Sequence, residues 1–351
     1  MIRGYIVHGT SEELLFAHGM KGAEVVGCTV TTELNSVDSA EIELPVTNNR
    51  ALALLHRNAI ARLYDDSRVV FEGDVADVTQ TVYGNTKIQL DGALGWMRCI
   101  CKAPFSIGAS STNRAVEDFL NAIITQYNSS IGDTARLLEL GTVTVSGNVE
   151  FDHSEEYTQT LDLFKEVIDQ LGGYFFTTYN ATDSPQIHYV SYPSIESAQT
   201  LELGVNILSA DNELDFTDYA SRIYATGKAD GGALIDIGYV MDSDAEARFG
   251  RSDYALKTSG KTRAQVTALA NVELAIRKNP LQSLQLTAVD LADIGKDYRS
   301  FHVGTVAHAS IKPLRIDADM VVQSTVRDYI NRANTVITFG KAPRTLTGMM
   351  Q

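Results

Sequence analysis

The chain has 351 residues, 44% apolar and 21% charged, which is ordinary for a globular protein and long enough for about two to four domains. Its formal net charge of −15 argues against a protein that grips nucleic-acid phosphates, and no apolar run is long enough to span a membrane. The start MIRGYIVHGT is charged early and broken by glycine, unlike a signal peptide, so we expect synthesis in a cytoplasm.

The amino-terminal part is predicted to form strands. Residues 25–36 and 39–45 alternate apolar and polar side chains, and a period of two indicates half-buried strands. A short helix is predicted over residues 47–58, because Asn48 can cap a small leucine cluster. Three further strands follow at 59–64, 69–81 and 86–90. These elements predict a small antiparallel β-barrel over residues 1–102.

A second module is predicted over residues 103–205. A linker of small residues covers 103–113, and apolar residues at helical spacing follow from Val116. A second helix is predicted from about Thr158 to the glycine pair at 172–173, since glycine commonly ends helices. The strands of a hairpin come next, which makes the module α+β.

The remainder is predicted to form a second barrel with an insertion. Residues 222–227 alternate as a strand and are expected to open this barrel, which comprises residues 206–229 and 281–341. The inserted module, 230–280, contains a polar segment and one helix, for which Thr262 and Gln265 form a capping box. A short tail covers residues 342–351.

The barrels are predicted to repeat one layout. Strand patterns at 301–308, 316–326 and 335–339 are separated by turn-rich breaks, as are the three strands at 59–90. The short breaks indicate antiparallel neighbours in both copies. We interpret the two stretches as a weak internal repeat.

Four stretches carry a resemblance to a known family. SAEIELPVTNN precedes AIARLYDDSRVVFEGDV, with an F-x-G pattern at Phe71 and Gly73, and TLDLFKEVIDQLGGYF, SRIYATGK and VGTVAHASI through NRANTVITFGK follow. They resemble the baseplate-hub family of phage tails, which includes the amino-terminal structural domain of tail-associated lysins, or Tal. The resemblance covers about residues 1–341 and rests on layout and short patterns.

The resemblance implies an α+β, β-rich fold with two similar small antiparallel β-barrels and two peripheral α/β modules. It further implies a homotrimer at the virion tail tip, in which six barrels form a ring that continues the tail tube. The implied partners are the distal tail protein, the tail tube protein and the tape-measure protein. Many members continue into a peptidase, lysin or fibre region, whereas this chain ends soon after Gly340, so we expect any such activity in another protein.

The acidic composition would suit a channel through which DNA passes without specific binding, because bound phosphates would have to be stripped during ejection. Asp65 and Asp66 in the first barrel and Asp317 and Asp319 in the second are the candidate lumen-facing acids. Solvated loop carboxylates explain each of them equally well.

The chemistry-bearing residues point to no catalytic, cofactor or metal site. No phosphate-binding loop, dinucleotide fingerprint, zinc-protease or serine-hydrolase motif occurs. Cys99 and Cys101 are better explained as buried small hydrophobes than as metal ligands, and Cys28 stands alone. His302 and His308 share one face of a regular strand, where a metal or ring-interface role competes with ordinary packing.

One acidic cluster keeps an enzyme in consideration. Asp152, His153, Glu155 and Glu156 lie together in FDHSEEY, and paired carboxylates can serve a glycosidase or another hydrolase. Their place before a predicted helix offers a simpler reason, since acids are favoured near helix N-termini. A carbohydrate-binding β protein is a third possibility, weakened by the single tryptophan and kept open by the 15 tyrosines.

Overall fold

Strands form most of the fold, and helices are few. The computed structural model describes residues 1–9, 11–48, 50, 59–80, 84–102, 114–149, 157–179, 184–191, 195–228, 232–259, 262–293, 300–332 and 335–340. The chain divides into a larger unit, Met1–Ala210 with the chain from Gln285 onward, and a smaller unit, Asp211–Leu284. The predicted α+β, β-rich fold class is confirmed. Most of the helix predicted over 47–58 lies outside the described residues, as do the linker 103–113 and the tail 342–351.

The amino-terminal strands follow the predicted alternation. They are β1 (Ile2–His8), β2 (Ser11–Ala17), β3 (Gly27–Glu33), β4 (Ser39–Leu44), β5 (Ile60–Asp65), β6 (Arg68–Gln80) and β7 (Thr86–Gly92). They lie side by side in the order β3-β4-β7-β6-β5-β1-β2, and every neighbouring pair is antiparallel. Their inward faces form one apolar core that includes Ile6, Phe16, Ile42, Leu63 and Phe71.

The middle of the larger unit packs two helices on short strands. Its elements are β8 (Ile100–Lys102), β9 (Arg114–Ala115), α1 (Val116–Ile131), β10 (Glu139–Val143), β11 (Asn148–Val149), β12 (Tyr157–Gln159), α2 (Thr160–Leu171), β13 (Tyr174–Thr178) and β14 (Gln186–Val190). The predicted face of α1, from Val116 to Tyr127, is buried against α2 and β14. Gly172 ends α2 with a φ of 70°, as its position predicted.

Six of the nine described carboxy-terminal strands extend the same sheet, and the other three form a sheet of their own. They are β15 (Ile195–Glu202), β16 (Ile207–Asp215), β17 (Arg222–Lys228), β18 (Leu234–Met241), β19 (Asp253–Ser259), β20 (Leu281–Ala288), β21 (Thr305–Ile311), β22 (Ile316–Asp328) and β23 (Thr335–Gly340), with α3 (Ser243–Phe249) and α4 (Arg263–Arg277) between them. The order β16-β20-β23-β22 joins β3 through an antiparallel β22–β3 pair, and β21 pairs with β22 and, in parallel, with β15. Hydrogen bonds therefore join the two groups of strands into one 13-stranded sheet.

The two repeated stretches have the same topology. β5-β6-β7 and β21-β22-β23 are both antiparallel meanders, and their middle strands, β6 and β22, both have 13 residues. A residue with positive φ precedes each middle strand, Asp66 at 52° and Arg315 at 55°. The shared left-handed turn before a long middle strand supports the repeat beyond the hydrophobic alternation. The division into two barrels stays a proposal.

The F-x-G pattern has a packing reason in β6. Phe71 is fully buried in the core of the amino-terminal strands, and Gly73 lies opposite Gly92 of β7. A Cβ on Gly73 would lie 2.0 Å from the carbonyl oxygen of Asp91, so only glycine permits this close approach of two backbones.

The smaller unit has its own sheet and core. β17 is the central strand, antiparallel to β18 and parallel to β19. Val266, Ala270 and Leu274 of α4 are buried with Ile223 and Ala225 of β17. Residues 222–227 therefore belong to this separate sheet, whereas we predicted that they begin the second barrel. The polar segment of the predicted insertion contains the strand β18.

The capping box at the start of α4 is confirmed. The backbone N–H of Gln265 donates to Thr262 Oγ1 at 3.4 Å, and the backbone N–H of Thr262 donates to Gln265 Oε1 at 2.8 Å. This reciprocal pair satisfies two amides that a helix start leaves without partners.

Candidate functional site

The first two candidate lumen acids lie at the turn between β5 and β6. The Asp65 side chain is 19% exposed and forms an ion pair with the Arg332 guanidinium. The Asp66 side chain is 77% exposed. The Asp66 carboxylate pairs with the Met1 amino group at 2.5 Å, so a neighbouring cation offsets the charge of each acid, and the two differ only in exposure.

The second two acids flank a histidine. The Asp319 and Asp317 carboxylates lie 2.8 and 3.2 Å from the two ring nitrogens of His308, and both side chains are more than 70% exposed. Hydrogen bonds to Asp319 and Asp317 raise the pKa of His308 above its ordinary value. The exposed Lys312 and Arg315 lie in the turn just before the strand that holds both acids. The raised pKa favours the charged form of His308, which offsets part of the negative charge of the two acids.

The structure separates the two histidines that we expected on one strand face. Gly304, with a φ of 80°, breaks the chain before β21, so His302 lies outside the strand that holds His308. His302 Nε2 is 2.9 Å from an Arg68 guanidinium nitrogen. The surrounding protein, followed by the charges of Arg68 and Arg327, lowers the pKa of His302 to about 4. His302 is therefore neutral at pH 7.

His302 lines a cavity of about 410 Å³ within the larger unit. Residues from β3, β6, β13 and β22, together with the loop before β21, form its walls. Phe176, Phe301 and Val303 contribute apolar surface, and Arg68 reaches the cavity from β6. A concave space of this size, with both apolar and polar side chains in its walls, is typical of a small-molecule site.

Asp38 lines the same cavity and is 4% exposed. Tyr179 donates its hydroxyl to Asp38 Oδ2 at 3.0 Å, and the Glu33 amide donates to Oδ1 at 3.4 Å. Burial outweighs these hydrogen bonds and raises the pKa of Asp38 to about 7. The hydrogen bond between Tyr179 and Asp38 connects the turn between β3 and β4 to the residue that follows β13.

Asp290 is a second buried acid, but its charge is compensated. Its carboxylate accepts hydrogen bonds from Ser300 Oγ at 2.6 Å, Gln199 Nε2 at 2.6 Å and the Phe301 amide at 3.1 Å, and it pairs with Arg327. Burial alone would raise its pKa, but Arg327 and the hydrogen bonds outweigh burial, so the pKa of Asp290 is lowered. The network joins the loop before β21 to β22.

Sequence reasoning missed Arg68, Asp38 and Asp290. Each stands beside a valine in the sequence, but charged residues beside apolar ones are common at strand ends. Only the packing of distant segments buries Asp38 and Asp290 and places the exposed Arg68 at the cavity.

The remaining sequence candidates gain no site. The cluster Asp152, His153, Glu155 and Glu156 lies outside the described residues. Within the described ranges, no group of three or more His, Cys, Asp or Glu side chains is arranged to hold a metal ion. Nor does any helix in those ranges have the length and apolar character needed to cross a membrane.

Comparisons with known proteins agree on the fold. The family model described as "Prophage endopeptidase tail" matches residues 195–350. The 43 kDa tail protein of prophage MuSo2 from Shewanella oneidensis aligns with a TM-score of 0.64 at 13% identity, over 98% of this chain and 99% of that one. This chain has the fold of prophage tail proteins.

Two further solved structures support the same conclusion. Prophage tail protein gp18 from Listeria monocytogenes gives a TM-score of 0.60 at 12% identity, over 99% of this chain and 97% of that one. A tail protein from Neisseria meningitidis gives 0.62 at 11% identity, over 99% of both chains. A search of curated proteins found no match.

Proposed function

We propose that this chain is a structural protein of a phage tail tip, a baseplate hub. The observation that carries the proposal is the alignment with three tail proteins, two of them from prophages, each over 97% or more of both chains. The match of residues 195–350 to a prophage tail family supports the same role. On this proposal the chain belongs to the prophage tail proteins and lies at the virion tail tip.

The proposed assembly is a homotrimer that continues the tail tube. The paired meanders β5-β6-β7 and β21-β22-β23 favour this stoichiometry, because two similar strand groups per chain let three chains present six similar elements. The distal tail protein, the tail tube protein and the tape-measure protein are the proposed partners.

The proposed channel passes DNA without binding it specifically. The net charge of −15 favours this role, because an acidic surface repels phosphates. Asp66, Asp317 and Asp319 suit a lumen because their side chains are more than 70% exposed, and Asp65 suits it less because it is 19% exposed. Each of the four also has a partner: Arg332 for Asp65, the Met1 amino group for Asp66, and His308 for Asp317 and Asp319. The two acid pairs flank equivalent turns of the two meanders.

A direct experiment tests the assembly. Analytical ultracentrifugation of the purified chain, alone and with the distal tail protein, is expected to give a species of three times the 38.3 kDa chain mass. Gold-labelled chain in tailed particles is expected at the tip in negative-stain images. A label along the tail shaft, or a monomer under both conditions, would contradict the hub role.

The channel has a separate test. We expect lysine at Asp65, Asp66, Asp317 and Asp319 together to leave particles assembled and to slow genome release, since cations would hold phosphates. Lysine at four exposed acids of the smaller unit serves as the control. Equal release rates for both variants would reject the lumen assignment.

A hydrolase is the second candidate; the family description contains the word endopeptidase, although the matched residues 195–350 do not include the acidic cluster. It would use the Asp152–Glu156 carboxylates. Release of fragments from peptidoglycan by the purified chain, abolished by Glu155→Gln, would support it. We propose the non-enzymatic role, and failure of the chain to cleave peptidoglycan would agree with that.

A further inference from the structure

Arg68 brings an uncompensated positive charge to the cavity. Its guanidinium contacts the neutral ring of His302, and no carboxylate pairs with it among the described residues. Of the other charged groups in the lining, Arg327 pairs with Asp290 and Asp65 pairs with Arg332. Asp38 is the remaining lining acid. Arg68 is therefore the cation that an incoming anion would meet.

The contact with Arg68 also sets the tautomer of His302. A guanidinium has only donors, so His302 Nε2 must accept the 2.9 Å hydrogen bond. A neutral ring that accepts at Nε2 carries its proton on Nδ1. This hydrogen bond uses one N–H of Arg68 and orients the guanidinium, whose other N–H groups remain available. A carboxylate accepts from two guanidinium N–H groups through its two oxygens.

The apolar part of the lining favours a ligand with an apolar body, and threonine, serine and tyrosine hydroxyls make up much of the remainder. Phe176, Phe301 and Val303 lie in the walls of a space of about 410 Å³, which is within the usual range for small-molecule sites. Asp38, the lining acid that pairs with no cation among the described residues, disfavours a doubly charged anion such as phosphate. One free guanidinium matches one negative charge.

We propose that this cavity binds a small organic monocarboxylate with an apolar body, with Arg68 as the anion-binding residue and His302 as its positioning partner. The site is independent of the tail role, because the residues that form it belong to one chain and one unit. A ligand there would bind where β3, β6, β13 and β22 meet and would stabilise the larger unit by mass action.

The experiment uses the full chain and three probes: 3-phenylpropionate, its uncharged amide and inorganic phosphate. Calorimetric titration and ligand-observed NMR are expected to show binding of the acid, with the amide at least about tenfold weaker because it lacks the charge. Phosphate is expected not to bind. Equal affinity for acid and amide, or phosphate binding as tight as the acid, would overturn the assignment.

Variants locate the binding site. Arg68→Met is expected to weaken 3-phenylpropionate binding by at least about tenfold, and Arg68→Lys by less because it keeps the charge. Arg68 is exposed, so both variants are expected to fold. Arg251→Met, at an exposed arginine of the smaller unit, is the control and is expected to bind like the original chain. Unchanged affinity in Arg68→Met, or no binding of the acid by the original chain, would refute the site.

Discussion

Asp38→Asn is expected to stabilise the larger unit at alkaline pH. Asp38 is almost fully buried, and its hydrogen bonds from Tyr179 and Glu33 do not compensate the lost hydration of its charged form. Asparagine has nearly the same shape, cannot ionise, and keeps an oxygen that accepts from the Tyr179 hydroxyl. The substitution therefore removes a buried charge and retains the contact between the β3–β4 turn and β13.

The pKa of Asp38 sets the size and the sign of the effect. The pKa rises from 3.8 to about 7 on folding, a difference of about three pH units, or about 4 kcal/mol at about 1.4 kcal/mol per unit. Between pH 3.8 and pH 7 the folded state binds more protons than the unfolded state, so stability falls as the pH rises. Well above pH 7 the free-energy cost of burying the charged Asp38 carboxylate no longer changes with pH. At pH 8.5, Asp38→Asn is expected to be more stable by about 2 to 4 kcal/mol, and at pH 4 by less than about 1 kcal/mol.

Urea unfolding at pH 4 and pH 8.5 measures this difference. Trp96 is the only tryptophan, lies in the larger unit and is 6% exposed, so its fluorescence reports the unfolding of that unit. Asp77→Asn, at an exposed aspartate of β6, is the matched control and is expected to show no such pH dependence. An Asp38→Asn protein that is less stable at pH 8.5, or equally shifted at both pH values, would refute the reasoning.

Three other outcomes are expected. Asp290→Asn removes a buried charge that compensates Arg327, and it should lower the free energy of unfolding by about 3 to 5 kcal/mol at pH 7 in the same urea assay. This effect is opposite in sign to that of Asp38→Asn. An unchanged stability would contradict the stabilising role of the Asp290 network. Gly73→Ala should lower the free energy of unfolding by about 3 kcal/mol. The control Gly27→Ala should lower it by about 1 kcal/mol or less, because its Cβ would make only an ordinary 3.4 Å contact. Equal losses in the two variants would reject the packing explanation for Gly73. NMR should show that His308 titrates above pH 6.5. Its ion pairs with Asp319 and Asp317 stabilise the fold fully below pH 6.5, and this stabilisation is lost as the pH rises through the folded-state pKa. A titration midpoint below pH 6.5 would exclude these ion pairs.

The residue pattern predicted most elements correctly because alternation and capping are local properties. The meander strands β5, β6 and β7 appear within about two residues of their predicted bounds, and so does the end of α2 at Gly172. The capping box of α4 also follows from residues three positions apart.

Local pattern does not identify the partner of a strand. Residues 222–227 alternate as strands of either sheet would, and only the observed pairing with β18 and β19 assigns β17 to the smaller unit. His302 illustrates a second limit: the positive φ of Gly304 ends the alternation before β21, which removes His302 from the face that holds His308. A glycine in the sequence does not reveal which sign of φ it adopts.

The sequence by itself determined the β-rich class, the repeated three-strand layout and the acidic charge, because these depend on composition and on neighbours a few residues apart. The tertiary structure decided which aspartates are buried, where the cavity lies, and that Arg68 in its lining has no carboxylate partner among the described residues. Asp38 and Asp290 both follow a valine in the sequence. Asp38 accepts a hydrogen bond from the Tyr179 hydroxyl, whereas Asp290 pairs with the guanidinium of Arg327, 37 residues away. Burial and charge compensation depend on contacts between distant segments, and the alternation of residues along one strand carries no information about them.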